Sequence, residues 1–298
     1  MVARNGGTRH GGIIDAYTLA ERIAAGDRFQ DLTRPTKALA TNHHFRIWRS
    51  DGNVLLKVYG TPGRERRESH ALAALGGRPG IPVKLDGVGT EEESWALFKD
   101  PGQWTLGSLP ESPEVARRAG ELLEAVHGSD PSELTNLSRG IDAEWVDVDH
   151  ASTMRRLARY RRRVGIDPEL YADIAAVPPP EASGPLPAHT DPTPEHFIVD
   201  EDGAVTLVDW EWATLAPPEW DLSKAVWLVT MQSGPTAAEA LQQGYRRMLG
   251  QTQLNRWIVY HAAMHLVYEA EQRMSDHGAD AYAATVAELR KAAALGSP

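Results

Sequence analysis

Apolar and polar positions change period several times along the chain. Residues 13–26, IIDAYTLAERIAAG, put Ile14, Leu19, Ile23 and Ala24 near helical spacing and stop at Gly26, which predicts an amphipathic helix. HFRIW (44–48) alternates, Ser50-Asp51-Gly52-Asn53 turns and VLLKVYG (54–60) returns, the signature of a β-hairpin. After the break at 61–63, RERRESHALAALGG (64–77) reads as a helix ended by paired glycines, and IPVKLDGVGT (81–90) and SWALFKD (94–100) read as strands. Residues 1–12 are polar and glycine-rich and are expected to be a frayed tail. Residues 1–100 thus predict a small α+β lobe.

Past DPGQWTLGSLP the period becomes mostly helical. PEVARRAGELLEAVHG (113–128) places Val115, Ala119, Leu122 and Val126 on one face, and a second helix is expected near 150–165. VPPPEASGPLP (177–187) is too rich in proline for a helix interior. An apolar segment ending in His189, a loop, and short strands FIVD (197–200) and VTLVDW (205–210) follow, then helices near 219–232, 236–249, 254–274 and 280–294. Residues 101–298 therefore predict a larger, mainly helical lobe with an embedded hairpin.

Composition narrows the function classes. The 298-residue chain has no cysteine, so disulfide frameworks, thiolate metal sites and thiol nucleophiles are excluded. No stretch approaches the roughly 20 apolar residues of a membrane span, and no export signal follows the polar N-terminus, so the expected compartment is the cytoplasm. The net charge of −10 is uneven: residues 181–240 carry eleven carboxylates against one lysine, Lys224, a pattern suited to a cleft that handles cations or metal. The arginines of ASTMRRLARYRRR (151–163) could form a nucleic-acid patch, but the global acidity favours a helix face paired with acidic neighbours.

The densest chemistry is His189-Thr190-Asp191-Pro192-Thr193-Pro194-Glu195-His196, followed after one turn by Val208-Asp209-Trp210-Glu211. An Asp on a proline-stiffened loop and a second Asp ending an apolar strand suit magnesium and an activated hydroxyl. Asp before Pro is also a common turn residue, and Asp209 could be an ordinary strand-end acid. Lys57 ends a strand of buried character, where an ammonium needs a partner, and Glu68 on the next helix is available. His261 and His265 lie one helical turn apart, but with no third ligand evident they read as packing or acceptor contacts.

In combination, strand-Lys, helix-Glu, His-x-Asp and Asp-after-strand resemble the protein-kinase set. The stretch HTDPTPEHFIVDEDGAVTLVDWEWATLAPPEWDLSKAV resembles aminoglycoside phosphotransferases and their small-molecule kinase relatives, as do Thr41-Asn42, LFKDPGQWTL and ELLEAVHG. The resemblance implies an α+β, two-lobed protein-kinase-like fold with an antiparallel N-lobe sheet and a helical C-lobe. It implies transfer of a phosphoryl group from ATP or GTP to a hydroxyl of a small molecule, most readily an antibiotic of aminoglycoside, nucleoside or peptide type. A metabolic alcohol and a nucleotide-binding pseudokinase are the rivals, and neither nucleic acid nor membrane is expected as a partner.

Carried over by position, the resemblance makes Asp191 the residue that accepts or orients the acceptor proton. Lys57, oriented by Glu68, would hold the phosphates, with Thr41 and Asn42 capping them and backbone around Phe98 and Lys99 meeting the purine. Asp209 would ligate Mg2+, or Mn2+, with His196 and Glu211 as further candidate ligands, and Asp221 would be structural. Trp212, His265, Tyr268 and Glu269 would face the acceptor. Two departures stand out: His196 occupies the place of a metal-binding Asn, and ALATNHHF has no glycine.

Overall fold

The computed structural model describes residues 15–33, 42–61, 63–109, 111–130, 132, 134, 140–246, 248–272 and 282–296. Thr41 and the expected tail at 1–12 lie outside them. Contacts divide the chain into two compact units, one of residues 1–102 with 209–211, the other of 103–208 with 212–298.

The first unit is an antiparallel sheet with two helices. Asp15 caps α1 (Ala16–Ala24) by accepting from Thr18 N, and β1 (Arg28–Asp31), β2 (Asn42–Trp48), β3 (Val54–Tyr59), β4 (Lys84–Gly89) and β5 (Ser94–Lys99) pair in the order β1-β2-β3-β5-β4. The alternation of the hairpin buries Phe45 and Ile47 from β2 and Leu56 from β3 against Leu19 and Ala20 of α1. α2 (Arg64–Leu75) carries Glu68 and buries Ala71, Leu72 and Leu75.

In the second unit β6 (Trp104–Thr105), β8 (Phe197–Val199) and β9 (Val205–Leu207) form one small sheet, and β7 (Leu186–Ala188) pairs with β10 (Thr214–Ala216) in another. The helices are α3 (Pro113–His127), α4 (Ala143–Tyr160), α5 (Pro168–Ala176), α6 (Pro218–Ser233), α7 (Pro235–Tyr245), α8 (Gln251–Gln272) and α9 (Ala283–Gly296). Their core joins Leu157, Leu170, Ile174, Val259, Leu266 and Leu289. At the α3–α7 crossing a Cβ on Gly120 would come within 2.0 Å of Leu241 O, and one on Gly244 within 1.9 Å of Arg117 O, so only glycine permits this approach. Among the described residues no helix is long and apolar enough to cross a membrane.

Several elements differ from expectation, three helices among them. The helix expected near 150–165 is α4 at 143–160, because Asp142 accepts from Trp145 N and starts it early, while Arg163 N and Val164 N both turn back to Tyr160 O. α5 was absent from the expected elements, although Asp167, Pro168 and Glu169 form an N-terminal helix signal. α7 closes at Tyr245 rather than 249, where Arg246 turns to φ 59°. In α4, Arg156 pairs with Glu271 and Arg159 lies over Tyr160, as a solvated helix face requires.

Candidate active site

Lys57 comes from β3, between β2 and β5, and the pleat puts it on the same face as Tyr59. Its ammonium is 2.6 Å from Glu68 Oε2, 2.5 Å from Asp209 Oδ1 and 3.5 Å from Glu211 Oε2. The Tyr59 ring lies beneath it at 4.8 Å, and the Tyr59 hydroxyl donates to Glu68 Oε2. Glu68 Oε1 accepts from Trp210 N at 2.9 Å, which ties α2 to the Asp209-Trp210-Glu211 segment. Glu211 in turn accepts from Asn42 Nδ2 at 2.9 Å and from Arg64 Nη1 at 2.8 Å. Arg64 and Glu68 share a face of α2 because they are one turn apart.

Electrostatics follow from this crowding. Burial alone would strip the proton from Lys57, but Asp209, Glu68 and Glu211 outweigh it and raise the ammonium above the ordinary lysine value. Burial, and then the Glu68 charge and hydrogen bond, push the Tyr59 phenol far up, so it stays a donor. Glu211 is also pushed up, by burial first and by the neighbouring Asp209 charge, against the pull of Lys57, Asn42 and Arg64. Asp209 sits at φ 70°, a left-handed conformation uncommon for a residue with a side chain and concentrated at functional sites.

Asp191 belongs to the second unit, on a loop whose backbone N–H groups at 189–191 are all bonded. The fully buried Asp221, one turn into α6, accepts from His189 N and Thr190 N, both at 2.8 Å. His127, at the end of α3, reaches Asp221 Oδ2 with Nε2 at 3.1 Å, and its Nδ1 is 2.6 Å from the Tyr245 hydroxyl. Burial opposes the Asp221 charge, yet these partners hold its carboxyl below the usual range. His189 takes one tautomer: Nε2 donates to Val208 O at 2.8 Å, and Nδ1 accepts from Asp191 N at 3.2 Å. Thr190 O accepts from Trp220 Nε1, its hydroxyl donates to Trp212 O, and its φ is 66°. The Asp191 carbonyl accepts from His196 Nδ1 at 2.7 Å and from Thr193 N at 2.8 Å.

Sequence reasoning missed the residue that meets the Asp191 carboxylate. Lys224 Nζ is 2.6 Å from Asp191 Oδ1. Burial raises the Asp191 carboxyl, but Lys224, then His196 and His189, bring it down to about 2. The available signal was that Lys224 is the one lysine or arginine among eleven acids at 181–240. Tyr59, Arg64 and His127 were likewise missed, since each acts through a partner distant in sequence.

The remaining expected site residues divide. Glu68, Asp209 and Glu211 each present a carboxylate oxygen within 4.8 Å of the others, whereas His196 belongs to the other unit with its Nδ1 on the Asp191 carbonyl. Asn42, expected at the phosphates, directs its amide to Glu211 and accepts from Gly60 N. Phe98 is buried and Lys99 exposed on β5, and the N–H groups of Lys99, Asp100 and Gly102 are bonded to Val83 O, Asn53 O and Asp100 Oδ1. Trp212 and Tyr268 are 43% and 55% exposed, His265 sets its ring against Trp227, and Glu269 is half-buried. His261, instead, is buried in packing, with Nε2 on Trp220 O.

Solved structures with this fold are similar over nearly the whole chain. A thermostable mutant of the aminoglycoside phosphotransferase APH(4)-Ia, in ternary complex with ADP and hygromycin B, aligns at a TM-score of 0.69 and 14% identity, over 95% of this chain and 99% of that one. Spectinomycin phosphotransferase APH(9)-Ia, with ADP and spectinomycin, aligns at 0.64 and 11%, over 95% and 98%. Choline kinase LicA from Streptococcus pneumoniae aligns at 0.61 and 14%, over 93% and 98%. No curated protein matches the chain in sequence. At these identities the structures establish the protein-kinase-like fold, and membership rests on the sequence itself. The model of the phosphotransferase enzyme family, APH, matches residues 33–257, a span that includes Lys57, Glu68, Asp191, Asp209 and Lys224, and the chain belongs to that family.

Proposed function

We propose that this small-molecule phosphotransferase moves the γ-phosphoryl group of ATP or GTP to a hydroxyl of an antibiotic. The observation that carries the reading is the buried Lys57 cluster, in which one ammonium and one guanidinium face the carboxylates of Glu68, Asp209 and Glu211. This set has more negative than positive groups, and its donors are hard oxygens, so it fits a divalent cation such as Mg2+. Asp209 and Glu211 would hold that cation, with Glu68 retained on Lys57. Bound there, it supplies charge neutralisation to the phosphates.

Lys57 binds phosphate oxygens with a proton it does not release, and Glu68 and Tyr59 keep it aimed. The acceptor oxygen attacks the γ-phosphorus, the bond to the β-bridging oxygen breaks, and ADP or GDP leaves. A carboxyl held at about 2 is a weak base, so Asp191 orients the hydroxyl by accepting its hydrogen bond, and the proton moves late, to the carboxylate or to the transferred phosphate. Trp212, His265, Tyr268 and Glu269 are proposed to meet the acceptor. The acid-rich 181–240 segment supports an amino-bearing compound, and the likeness to antibiotic phosphotransferases supports the class. A small metabolic alcohol is the reading that the likeness to a choline kinase favours.

The test is transfer from γ-labelled ATP and GTP, with magnesium or manganese, across aminoglycoside, nucleoside and peptide antibiotics and choline-like alcohols, with products read by mass. One added phosphate on one class supports the reading and names the acceptor. Tight nucleotide binding with no turnover, even to water, would replace it with a pseudokinase.

A further inference from the structure

Around Asp191 the loop leaves little unassigned. The N–H groups of residues 189–191, the carbonyls of Thr190 and Asp191, the Thr190 hydroxyl and both His189 nitrogens have partners. Of the carboxylate, Oδ1 lies 2.6 Å from Lys224 Nζ, while Oδ2 accepts no hydrogen bond among the described residues and stands 3.8 Å from His196 Nδ1. The Asp191 side chain retains 32% exposure, so this oxygen is not sealed in. Lys224 is held more firmly, with 17% exposure, and among the described residues its one other hydrogen bond is a long 3.4 Å contact to Thr190 O. Lys224 follows Asp221 by three positions on α6, so one helix face carries both the acid that fixes the loop backbone and the ammonium that meets its side chain.

We propose that Lys224 is the positioning residue of the catalytic loop: its ammonium fixes Asp191 through Oδ1 and thereby presents Oδ2 to the incoming hydroxyl. A carboxylate with both oxygens unbound would rotate about its terminal torsion, which is broad and nearly two-fold. One charge-assisted hydrogen bond removes that freedom and keeps the group ionised. The proposal rests on the reading of Asp191 given above. It adds that a residue thirty-three positions away, outside the His-x-Asp motif, sets the attack geometry.

The experiment measures ADP release from ATP and Mg2+, first with water as the acceptor and then with any alcohol the wild type phosphorylates. Lys224→Met keeps the stem and removes the ammonium, Lys224→Arg restores a cation, and Asp191→Asn removes the carboxylate charge. Lys224→Met is expected to lower kcat about a hundredfold with the ATP dissociation constant unchanged, and Lys224→Arg to recover most of the loss. In an Asp191→Asn background, Lys224→Met should change turnover by less than about twofold, because its object is already gone. Unchanged kcat in Lys224→Met, or losses that multiply in the double variant, would overturn the proposal. If the wild type itself neither binds ATP nor releases ADP, the phosphotransferase reading fails first. A Tm of Lys224→Met within a few degrees of wild type, read alongside, separates lost positioning from lost folding.

Discussion

The Lys57 cluster and the Asp191 loop hold their functional groups by opposite means. Lys57 is held by charge: three carboxylates surround it, so each contact has a partial substitute. The Asp191 loop is held by backbone hydrogen bonds from His189 and Thr190 that converge on one buried acid, Asp221, with Thr190 at φ 66°, and a single ammonium, Lys224, meets the Asp191 carboxylate. The first arrangement suits a site that must exchange ligands of several charges. The second suits one that must offer a single oxygen in a fixed direction, at the cost of local strain of order 1–3 kcal/mol.

The largest effect comes from removing either centre. Asp191→Ala and Asp209→Ala should each lower phosphoryl transfer by at least about 10²–10⁴-fold while circular dichroism and Tm stay near wild type. Wild-type-like turnover in either would sink the assignment of that centre. Next is the asymmetry of support: Asp221→Ala strands two N–H groups and His127, and urea titration should show a loss of about 3–5 kcal/mol. Glu68→Gln, which leaves Lys57 with Asp209 and Glu211, should cost clearly less, and equal losses would abolish the contrast.

Acid and alkali should separate the two regions. Burial, and then the Lys224 charge, hold His261 at about 3 against an ordinary 6.5, and His189 is lowered too. Between those values the unfolded chain binds a proton that the native chain refuses, so stability falls as pH drops from 6.5 toward 3, with a slope of about one proton or more. The lowered Asp191 adds to the loss only between 3.8 and about 2. Lys57, raised by its carboxylates, contributes stability that is complete below 10.5 and is lost as pH rises through its folded value. Denaturation midpoints across pH check both, and flat stability from 6.5 to 4 would contradict the first. The smallest effect is that of His196→Asn. An amide N–H can replace the imidazole donor to the Asp191 carbonyl, so magnesium-supported turnover should be kept or raised; complete loss in a kinetic assay would give the ring a role of its own.

The sequence made legible those features whose signal is local. The β2–β3 hairpin announced itself by alternation around a Ser-Asp-Gly-Asn turn, and Lys57, Asp191 and Asp209 by residue type within a family pattern. α4 was misplaced because AEWVDVDH alternates apolar and acidic residues with a strand-like period, while the arginines beyond it drew the helix downstream. The contacts of Lys224 and Asn42 were illegible for a different reason. Their partners lie 33 and 169 positions away, and only the helical phase of α6 and the register of β2 decide what they meet.

The short segment 209–211 has one more implication, for how this chain can be divided. By contact it belongs with residues 1–102, yet covalently it is flanked on both sides by the other unit. The backbone therefore passes from one compact body to the other three times, and no single scission yields two whole ones. A fragment ending at Gly102 would retain Lys57 and Glu68 but forfeit Asp209, Glu211 and the Trp210 N–H, leaving an interior cation with one counter-charge and the Asn42 amide and Arg64 without Glu211. Shuffling of this half onto another scaffold would have to carry a three-residue insert along with it.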